Sequence, residues 1–148
     1  MIEPIQFEME FVVPRARLWQ AWTNEADLVR WLAMKAHVRI EKGGPYELFW
    51  DPMHPNQNST LGCVITDLEP EKKLVFEWKG PVHLADLMNA SPTPTWVMVE
   101  FEDTNTHGSR VRLIHRGWEE GSRWINARSW QQQAWMIALQ RLKQYLGN

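Results

Sequence analysis

Five histidines and one cysteine are the side chains in this sequence with the greatest capacity for catalysis or metal binding. The histidines are scattered, with no HxH or HExxH spacing, so the pattern predicts no metal site. Cys63 lies in an apolar stretch, where a thiol is most simply a small buried hydrophobic side chain, and a nucleophilic role would require a base such as His115 beside it. No glycine-rich phosphate loop and no GxSxG sequence is present. Catalytic residues therefore stay unassigned, and no cofactor is predicted.

His115 is the most informative of the titratable residues, because it shares an alternating strand face with two apolar residues. Two interpretations stay open: a core histidine hydrogen-bonded to a neighbour, or a polar anchor for a ligand. The mid-strand carboxylates Glu47, Glu77 and Glu100 are expected on the solvated face of their strands. A carboxylate that was buried instead would have a raised pKa and would be able to act as an acid or base.

Tryptophan is unusually abundant, with ten residues in a chain of 148. Each indole combines a large apolar face with one N–H that needs a partner when buried. Ten indoles exceed what a tight core of this size is expected to hold, so some should line a hollow or an interface. The predicted cavity lining is Trp31, Met34, Trp50, Trp78, Trp96, Met98, His115, Trp130 and Ala134. Trp96 and Met98 alternate with Val97, Val99 and Phe101, so only one of these two sets can face inward.

The elements that must position these side chains follow an α+β order. A first strand is predicted over 5–13, two short amphipathic helices follow up to Leu32, and a long helix is predicted from about Gly121 to Leu146 with Ser122 as its cap. The strands between them, about six and antiparallel, are predicted at 36–41, 46–50, 61–68, 74–79, 95–102 and 110–116. No linker or repeat appears, so residues 1–148 are expected to form one domain.

The long helix has two apolar faces instead of one. The first carries Trp135, Leu139, Leu142 and Leu146, and the second carries Trp130, Ala134, Ile137, Ala138 and Tyr145. Together they are wider than a single sheet contact requires. A curved antiparallel sheet is therefore expected to wrap this helix and to leave an apolar internal cavity at its open end.

A long loop is predicted over 80–94, close to the open end of the sheet. Its apolar residues are predicted to form a lid over the cavity, with Gly80 as a hinge. An ordered surface loop is the alternative. The predicted lid residues are Val82, Leu84, Leu87 and Met88.

Several stretches occur together in a characteristic order: FVVPRARLWQAWTNEADLVRW, EKGGPYELFW, GCVITDLEPEKKLVFEWKG, TWVMVEFED, SRVRLIHRGW and AWMIALQRLKQYL. Together they resemble the activator-of-heat-shock-protein-90-ATPase-like family, within the START-like (birch-pollen-allergen-like, SRPBCC) helix-grip superfamily. The resemblance implies a helix-grip domain with an internal cavity, in a superfamily of lipid carriers, polyketide cyclases and co-chaperone domains. It supplies no universal catalytic motif. The chain departs from the family at Leu32-Ala33-Met34, where many relatives carry a second aromatic, and at 118–130, where it is longer.

Charge and hydropathy exclude several classes of partner. A net charge of −2 provides no field that would attract nucleic acid. No apolar run approaches the roughly 18 residues of a membrane span, and the acidic, proline-bearing start is unlike a signal peptide, so a cytoplasmic location is expected.

Three functions remain. The first is binding of a small hydrophobic or aromatic molecule. The second is a protein-binding module that regulates a heat-shock chaperone, which requires an exposed apolar patch, as around Trp118, Trp124 or Trp130. The third is a cavity enzyme, such as a polyketide-cyclase-like cyclase or dehydratase or a hydrolase, which requires a buried acid–base pair. A homodimer through the aromatic surface of the long helix is compatible with any of them.

Overall fold

A computed structural model describes residues 2–147, so Met1 and Asn148 of the predicted domain lie outside the described residues. The chain runs β1 (Ile5–Phe11), α1 (Arg15–Thr23), α2 (Glu25–Trp31), β2 (Lys35–Val38), β3 (Tyr46–Phe49), β4 (Ile65–Glu69), β5 (Lys73–Trp78), a 3-10 turn (Val82–Leu84), α3 (Ala85–Met88), β6 (Thr95–Asp103), β7 (Ser109–Arg116) and α4 (Ser122–Leu146). This order confirms the predicted helix-grip fold.

The largest boundary error is at β4, which begins four residues later than predicted. Thr60 to Cys63 form a turn in which the Cys63 N–H donates to the Thr60 carbonyl at 3.0 Å. Gly62 in this turn has a φ of 89°, a conformation that favours glycine. The first residues of the predicted strand, 61–63, therefore form a turn before β4 begins at Ile65.

The strands form two antiparallel sheets. The five-stranded sheet has the order β1-β7-β6-β5-β4, and β2 pairs with β3 in a small second sheet. Single bridges from Pro45 to Val64 and from Phe49 to Ser59 join the segments between the two sheets. Residues next to these bridges, Trp50, Asn58 and Ser59, line the candidate site described below.

Alternation along β6 decides which face of the sheet points inward. Val97, Val99 and Phe101 are buried beneath the helices, whereas Trp96 is 37% exposed and Met98 is partly exposed on the opposite face. The prediction that Trp96 and Met98 line the cavity is therefore corrected. Successive side chains of a β-strand point to opposite faces, so Trp96 and Met98, two residues apart, both point outward.

Helix α4 begins without the predicted serine cap. The residue before its first turn is Gly121, with a φ of 115°, and the Ser122 side chain accepts no capping hydrogen bond from the helix. Its first apolar face is buried as expected, at Trp135, Leu139, Leu142 and Leu146. Its second face is different, because Trp130 and Ile137 are 42% and 51% exposed. No helix within residues 2–147 is long and apolar enough to cross a bilayer.

A partly buried ionic cluster joins α1, α2 and α4. Arg17 donates two hydrogen bonds to the Asp27 carboxylate, at 3.1 and 2.9 Å, and the Tyr145 hydroxyl donates a third at 2.5 Å. Burial acts to raise the pKa of Asp27, but the hydrogen bonds from Arg17 and Tyr145 outweigh it and hold the pKa below its ordinary value. The contribution of Asp27 to stability is thus present above that ordinary value and is lost as the pH falls through the lowered pKa.

Replacing Asp27 with asparagine is expected to lower the free energy of unfolding by about 1.5–3 kcal/mol, because hydrogen bonds to a buried charge are lost. Urea denaturation at pH 7 measures the loss. Asp86→Asn is the matched control, since Asp86 also receives two hydrogen bonds from an arginine, Arg123 at 2.9 and 3.0 Å, but is exposed. That variant should stay within about 0.5 kcal/mol of the wild type. Equal losses in the two variants would contradict a structural role for the cluster.

Candidate ligand-binding cleft

A cleft of about 370 Å³ lies along the second apolar face of α4 and opens to solvent on one side. The hollow expected inside the sheet is thus a cleft at the border of the packed interior. Its walls come from α4, the end of β5 and the segments that follow α2 and β3. The lining residues are Trp130, Gln131, Ala134, Trp135, Ile137, Ala138 and Arg141 of α4, with Leu32, Trp50, Asn58, Ser59, Trp78, Lys79, Gly80 and Pro81 opposite.

Helical spacing explains why α4 contributes a continuous wall. Positions 130, 134, 137, 138 and 141 follow one another at intervals of three, four or one residue, so they lie on one side of the helix. From 130 to 141 this stripe is roughly 16 Å long at 1.5 Å per residue. The small side chains Ala134 and Ala138 leave the space that forms the middle of the cleft.

The opposite wall is aromatic and is held by hydrogen bonds. The Trp50 indole donates to the Leu32 carbonyl at 2.7 Å and meets the Trp78 ring at an edge, with centroids 5.7 Å apart. Trp78 in turn contacts Trp135 of α4, at 4.9 Å between centroids. Because each indole is fixed by a neighbour, the apolar wall is formed before any ligand arrives.

Gln131 is the most deeply buried polar side chain of the cleft, with 3% exposure. Its Oε1 accepts a hydrogen bond from Trp78 Nε1 at 3.2 Å. An indole N–H can only donate, so the amide orientation is settled: the oxygen faces Trp78 and the NH₂ group is turned away from it. Within residues 2–147 that NH₂ group donates to no acceptor.

His115 lies behind the indoles and does not line the cleft. Its Nδ1 accepts from Trp135 Nε1 at 3.0 Å, and its Nε2 lies 2.9 Å from Thr95 Oγ1. Because Nδ1 accepts, the ring proton is on Nε2 and is donated to Thr95. Burial lowers the pKa of His115 to about 3, so the ring is neutral at physiological pH. Of the two interpretations left open, the structure has the hydrogen-bonded core histidine.

Four of the nine residues predicted to line the cavity do line this cleft: Trp50, Trp78, Trp130 and Ala134. The other five, Trp31, Met34, Trp96, Met98 and His115, lie elsewhere. Trp31 is held in the helical core, where its Nε1 donates to the Ala21 carbonyl at 2.9 Å and its ring packs on Trp22. Met34 is 69% exposed beside β2. Neither Trp31 nor Met34 reaches the second apolar face of α4, because the first points into the helical core and the second points to solvent.

Gln131, Trp135 and Leu32 are cleft residues that sequence reasoning did not assign to the site. Trp135 belongs to the buried face of α4 and also lines the cleft. Leu32 ends the second short helix, where it is expected to point inward. Gln131 lies four residues before Trp135, so the helical period places it on the buried face of α4, but its contact with Trp78, 53 residues away, is not visible in that period.

The predicted lid packs beside the cleft. Leu84 and Met88 are buried, Val82 is half exposed, and none of the four predicted lid residues lines the cleft. The hinge candidate Gly80 is fixed by Asn89, whose side chain accepts from the Gly80 N–H at 2.8 Å. A Cβ at Gly80 would also lie 2.5 Å from the Met88 sulfur, so any larger residue here would force the Met88 side chain to shift.

The cleft offers little acid–base chemistry. Its lining contains no histidine, cysteine or carboxylate among the described residues. Glu47 lies on the outer face of β3, opposite the buried Tyr46 and Leu48, but its side chain is only 14% exposed. It accepts from the Gly62 N–H at 2.7 Å and lies 2.8 Å from His37, and these hydrogen bonds lower its pKa although burial alone would raise it. Burial raises the pKa of the Cys63 thiol to about 12, so a nucleophilic thiolate is not available there. Within residues 2–147 no group of three or more His, Cys, Asp or Glu side chains is placed to hold a metal ion.

Comparisons with known proteins agree with this architecture. The sequence profile described as "Activator of Hsp90 ATPase homolog 1-like protein" matches residues 12–147. The comparison with curated proteins gave no match. Protein MLL2253 from Mesorhizobium loti is a similar solved structure, with a TM-score of 0.75 at 22% identity over 95% of this chain and 94% of the other. An HSP90 activator from Plasmodium falciparum has a TM-score of 0.73 at 21% identity, over 99% and 97% of the two chains. The Aha1 dimer from Colwellia psychrerythraea has a TM-score of 0.66 at 18% identity, over 99% and 96%.

Proposed function

The chain belongs to the Activator of Hsp90 ATPase homolog 1-like family, and from this membership and the cleft along α4 we propose that it binds a small, largely hydrophobic molecule. A cleft of about 370 Å³ falls within the range of roughly 300–1,000 Å³ that small-molecule sites occupy. The proposal places the ligand against the second apolar face of α4, and it includes a cytoplasmic location for the protein.

The observation that carries this proposal is the unpacked apolar face of α4. Trp130, Ala134, Ile137 and Ala138 lie along one stripe with no sheet residue filling the space beside them. Exposed apolar surface costs about 25 cal/mol per Å² relative to burial, so a contiguous concave patch favours an apolar partner. The facing indoles Trp50 and Trp78 supply rigid walls for such a molecule.

Filling the middle of the cleft is expected to abolish binding. In Ala134→Phe the new ring occupies the space beside α4, so the affinity for naphthalene derivatives should fall by at least about tenfold, a loss of 1.4 kcal/mol or more. Isothermal titration calorimetry against a panel of such compounds measures the affinity. Gln133→Phe is the matched control, because Gln133 is the exposed neighbour on the same helix and does not line the cleft. The proposal fails if no panel member binds the wild type, or if the two variants bind alike.

A protein-binding role is the second candidate, and a specific observation favours it. Trp130 and Ile137 are exposed at the mouth of the cleft, where they would be available to an apolar segment of another protein. One structural neighbour is an HSP90 activator and another is a dimer, so a heat-shock chaperone and a second copy of this chain are the partners to test. Stimulation of the chaperone's ATPase that is lost in Trp130→Glu would support this role over ligand binding.

A cavity enzyme is the least supported of the three functions. Acid–base catalysis requires a titratable pair within hydrogen-bond reach of the substrate. The charged groups that line the cleft are Lys79 and Arg141, and neither has an acidic partner in the lining.

A further inference from the structure

We propose that the cleft selects an aromatic carboxylate, with the ring between the indoles and a carboxylate oxygen accepting a hydrogen bond from the side-chain amide of Gln131. The inference rests on the proposed ligand-binding function and narrows it to one chemical class. Two independent features support it: a side-chain donor at the cleft with no acceptor in residues 2–147, and the sign of the charges that line the cleft.

The first feature is the amide NH₂ group of Gln131. Its orientation is fixed, because Trp78 Nε1 must donate to the amide oxygen, at 3.2 Å. Gln131 is 3% exposed and lines the cleft, yet within residues 2–147 its NH₂ group has no acceptor. The NH₂ group is not among the fully buried unpaired atoms of residues 2–147, so it reaches the solvent of the cleft and is available to an acceptor that a ligand brings.

The second feature is charge. Among residues 2–147, the ionised side chains that line the cleft are Lys79 and Arg141, and both are cationic. Lys79 Nζ donates to the Leu61 carbonyl at 2.6 Å, and Arg141 has no hydrogen bond or ion pair within residues 2–147. Within residues 2–147 no anionic side chain lines the cleft, but Glu47, outside the lining, interacts electrostatically with Lys79, so Arg141 is the cation without an anionic neighbour. The electrostatic potential of the cleft therefore favours an anion and disfavours a cation.

Aromatic character follows from the walls. Four indoles line the cleft: Trp50, Trp78, Trp130 and Trp135. Offset and edge-to-face contacts with such rings favour an aromatic ligand beyond the gain from buried area alone. A hydrogen bond from an amide to a carboxylate is stronger than one to a neutral carbonyl, so the acid is preferred to its ester.

Three probes of similar size separate these contributions: 2-naphthoate, methyl 2-naphthoate and 2-ethylnaphthalene. Calorimetry at pH 8 should find 2-naphthoate the tightest, the ester intermediate and the hydrocarbon weakest, with at least about tenfold between the first and last. Raising the ionic strength should weaken the binding of 2-naphthoate and leave the other two unchanged.

Gln131→Glu is the decisive variant, because a carboxylate still accepts the hydrogen bond from Trp78 but no longer donates to a ligand. We expect it to lower the affinity for 2-naphthoate by at least about tenfold, and to weaken the binding of the hydrocarbon much less, since the hydrocarbon has neither a charge nor an acceptor. Circular dichroism and the unfolding midpoint check that the variant is folded.

Arg141→Gln tests the charge without touching a buried group, so it remains informative if Gln131→Glu does not fold. It should weaken 2-naphthoate alone, by about twofold to fivefold, as expected for an exposed cation. Arg116→Gln is the matched control, since Arg116 is an exposed arginine of β7 that does not line the cleft.

The outcomes separate the two proposals. If 2-ethylnaphthalene binds as tightly as 2-naphthoate, or if Gln131→Glu and Arg141→Gln both bind the acid like the wild type, the carboxylate assignment is overturned while ligand binding stands. If none of the three probes binds, ligand binding in the cleft is overturned as well.

Discussion

Replacing Trp135 with alanine is expected to lower the free energy of unfolding by about 3–5 kcal/mol, the range for removing a large aromatic side chain from a core. Trp135 is 1% exposed and contacts Trp78 and Trp22, with ring centroids 4.9 and 6.1 Å away. Its Nε1 also donates to His115 at 3.0 Å, so the alanine variant leaves a buried ring nitrogen without its donor. Urea denaturation measures the loss.

Two further variants divide this effect. Trp135→Phe keeps most of the ring contacts but removes the N–H, so its loss should lie between those of the wild type and Trp135→Ala. Met136→Ala is the control, because Met136 is the exposed neighbour on the same helix and should stay within about 0.5 kcal/mol of the wild type. A loss below about 1 kcal/mol in Trp135→Ala would mean that the indole cluster is not the centre of the core.

The two faces of α4 are the part of the site that spacing alone predicts well. Residues three and four apart lie on one side of a helix whatever surrounds it, so the pattern identifies both apolar stripes. The structure buries the stripe that contains Trp135 and leaves the stripe that contains Trp130 and Ile137 beside the cleft. An excess of apolar helix surface is thus a useful sequence signal for a site, although it does not show whether the space is enclosed or open.

Which of the two alternating sets of side chains on a strand faces the core is less predictable from sequence. Alternation divides β6 into two sets, but a shift of one residue in register exchanges them between the faces. The set with the larger side chains, Trp96 and Met98, faces outward, because β6 pairs with β7 so that Val97 lies opposite His115. Which set is buried is determined by the helix that packs on the inner face of the sheet, and not by the size of the side chains. Composition within the strand carries no information about that helix.

The hydrogen-bond partners of the buried polar side chains are the part of the site that is least predictable from sequence. Gln131 and His115 each have a hydrogen bond to an indole N–H, from Trp78 and Trp135 respectively. Both contacts join segments that are distant in sequence, so no local pattern reveals them. The abundance of tryptophan gives an indirect signal, since every buried indole needs an acceptor and some of these acceptors must be side chains.

Lowering the pH from 6.5 to 4.5 is expected to cost the protein about 2.5 kcal/mol of stability through His115 alone. Burial holds the pKa of this residue at about 3 in the folded protein, against an ordinary value of 6.5. Between these values the unfolded chain binds a proton at His115 and the folded chain does not. Because the unfolded state binds more protons, stability rises with pH across this interval and is lost as the pH falls.

His115→Gln should remove this dependence, although it is expected to be less stable than the wild type at pH 7, where its amide replaces an imidazole between Thr95 and Trp135. Urea denaturation at pH 6.5 and 4.5 measures the slope. His54→Gln changes an exposed histidine and should keep the wild-type slope. Several carboxylates with lowered pKa values, among them Asp27 and Glu47, lose their contributions mainly below their ordinary values of 3.8 and 4.5, so the histidine gives the larger part of the change in this interval. An unchanged slope in His115→Gln would show that the folded protein protonates this ring, and hence that it is less buried than the indoles around it imply.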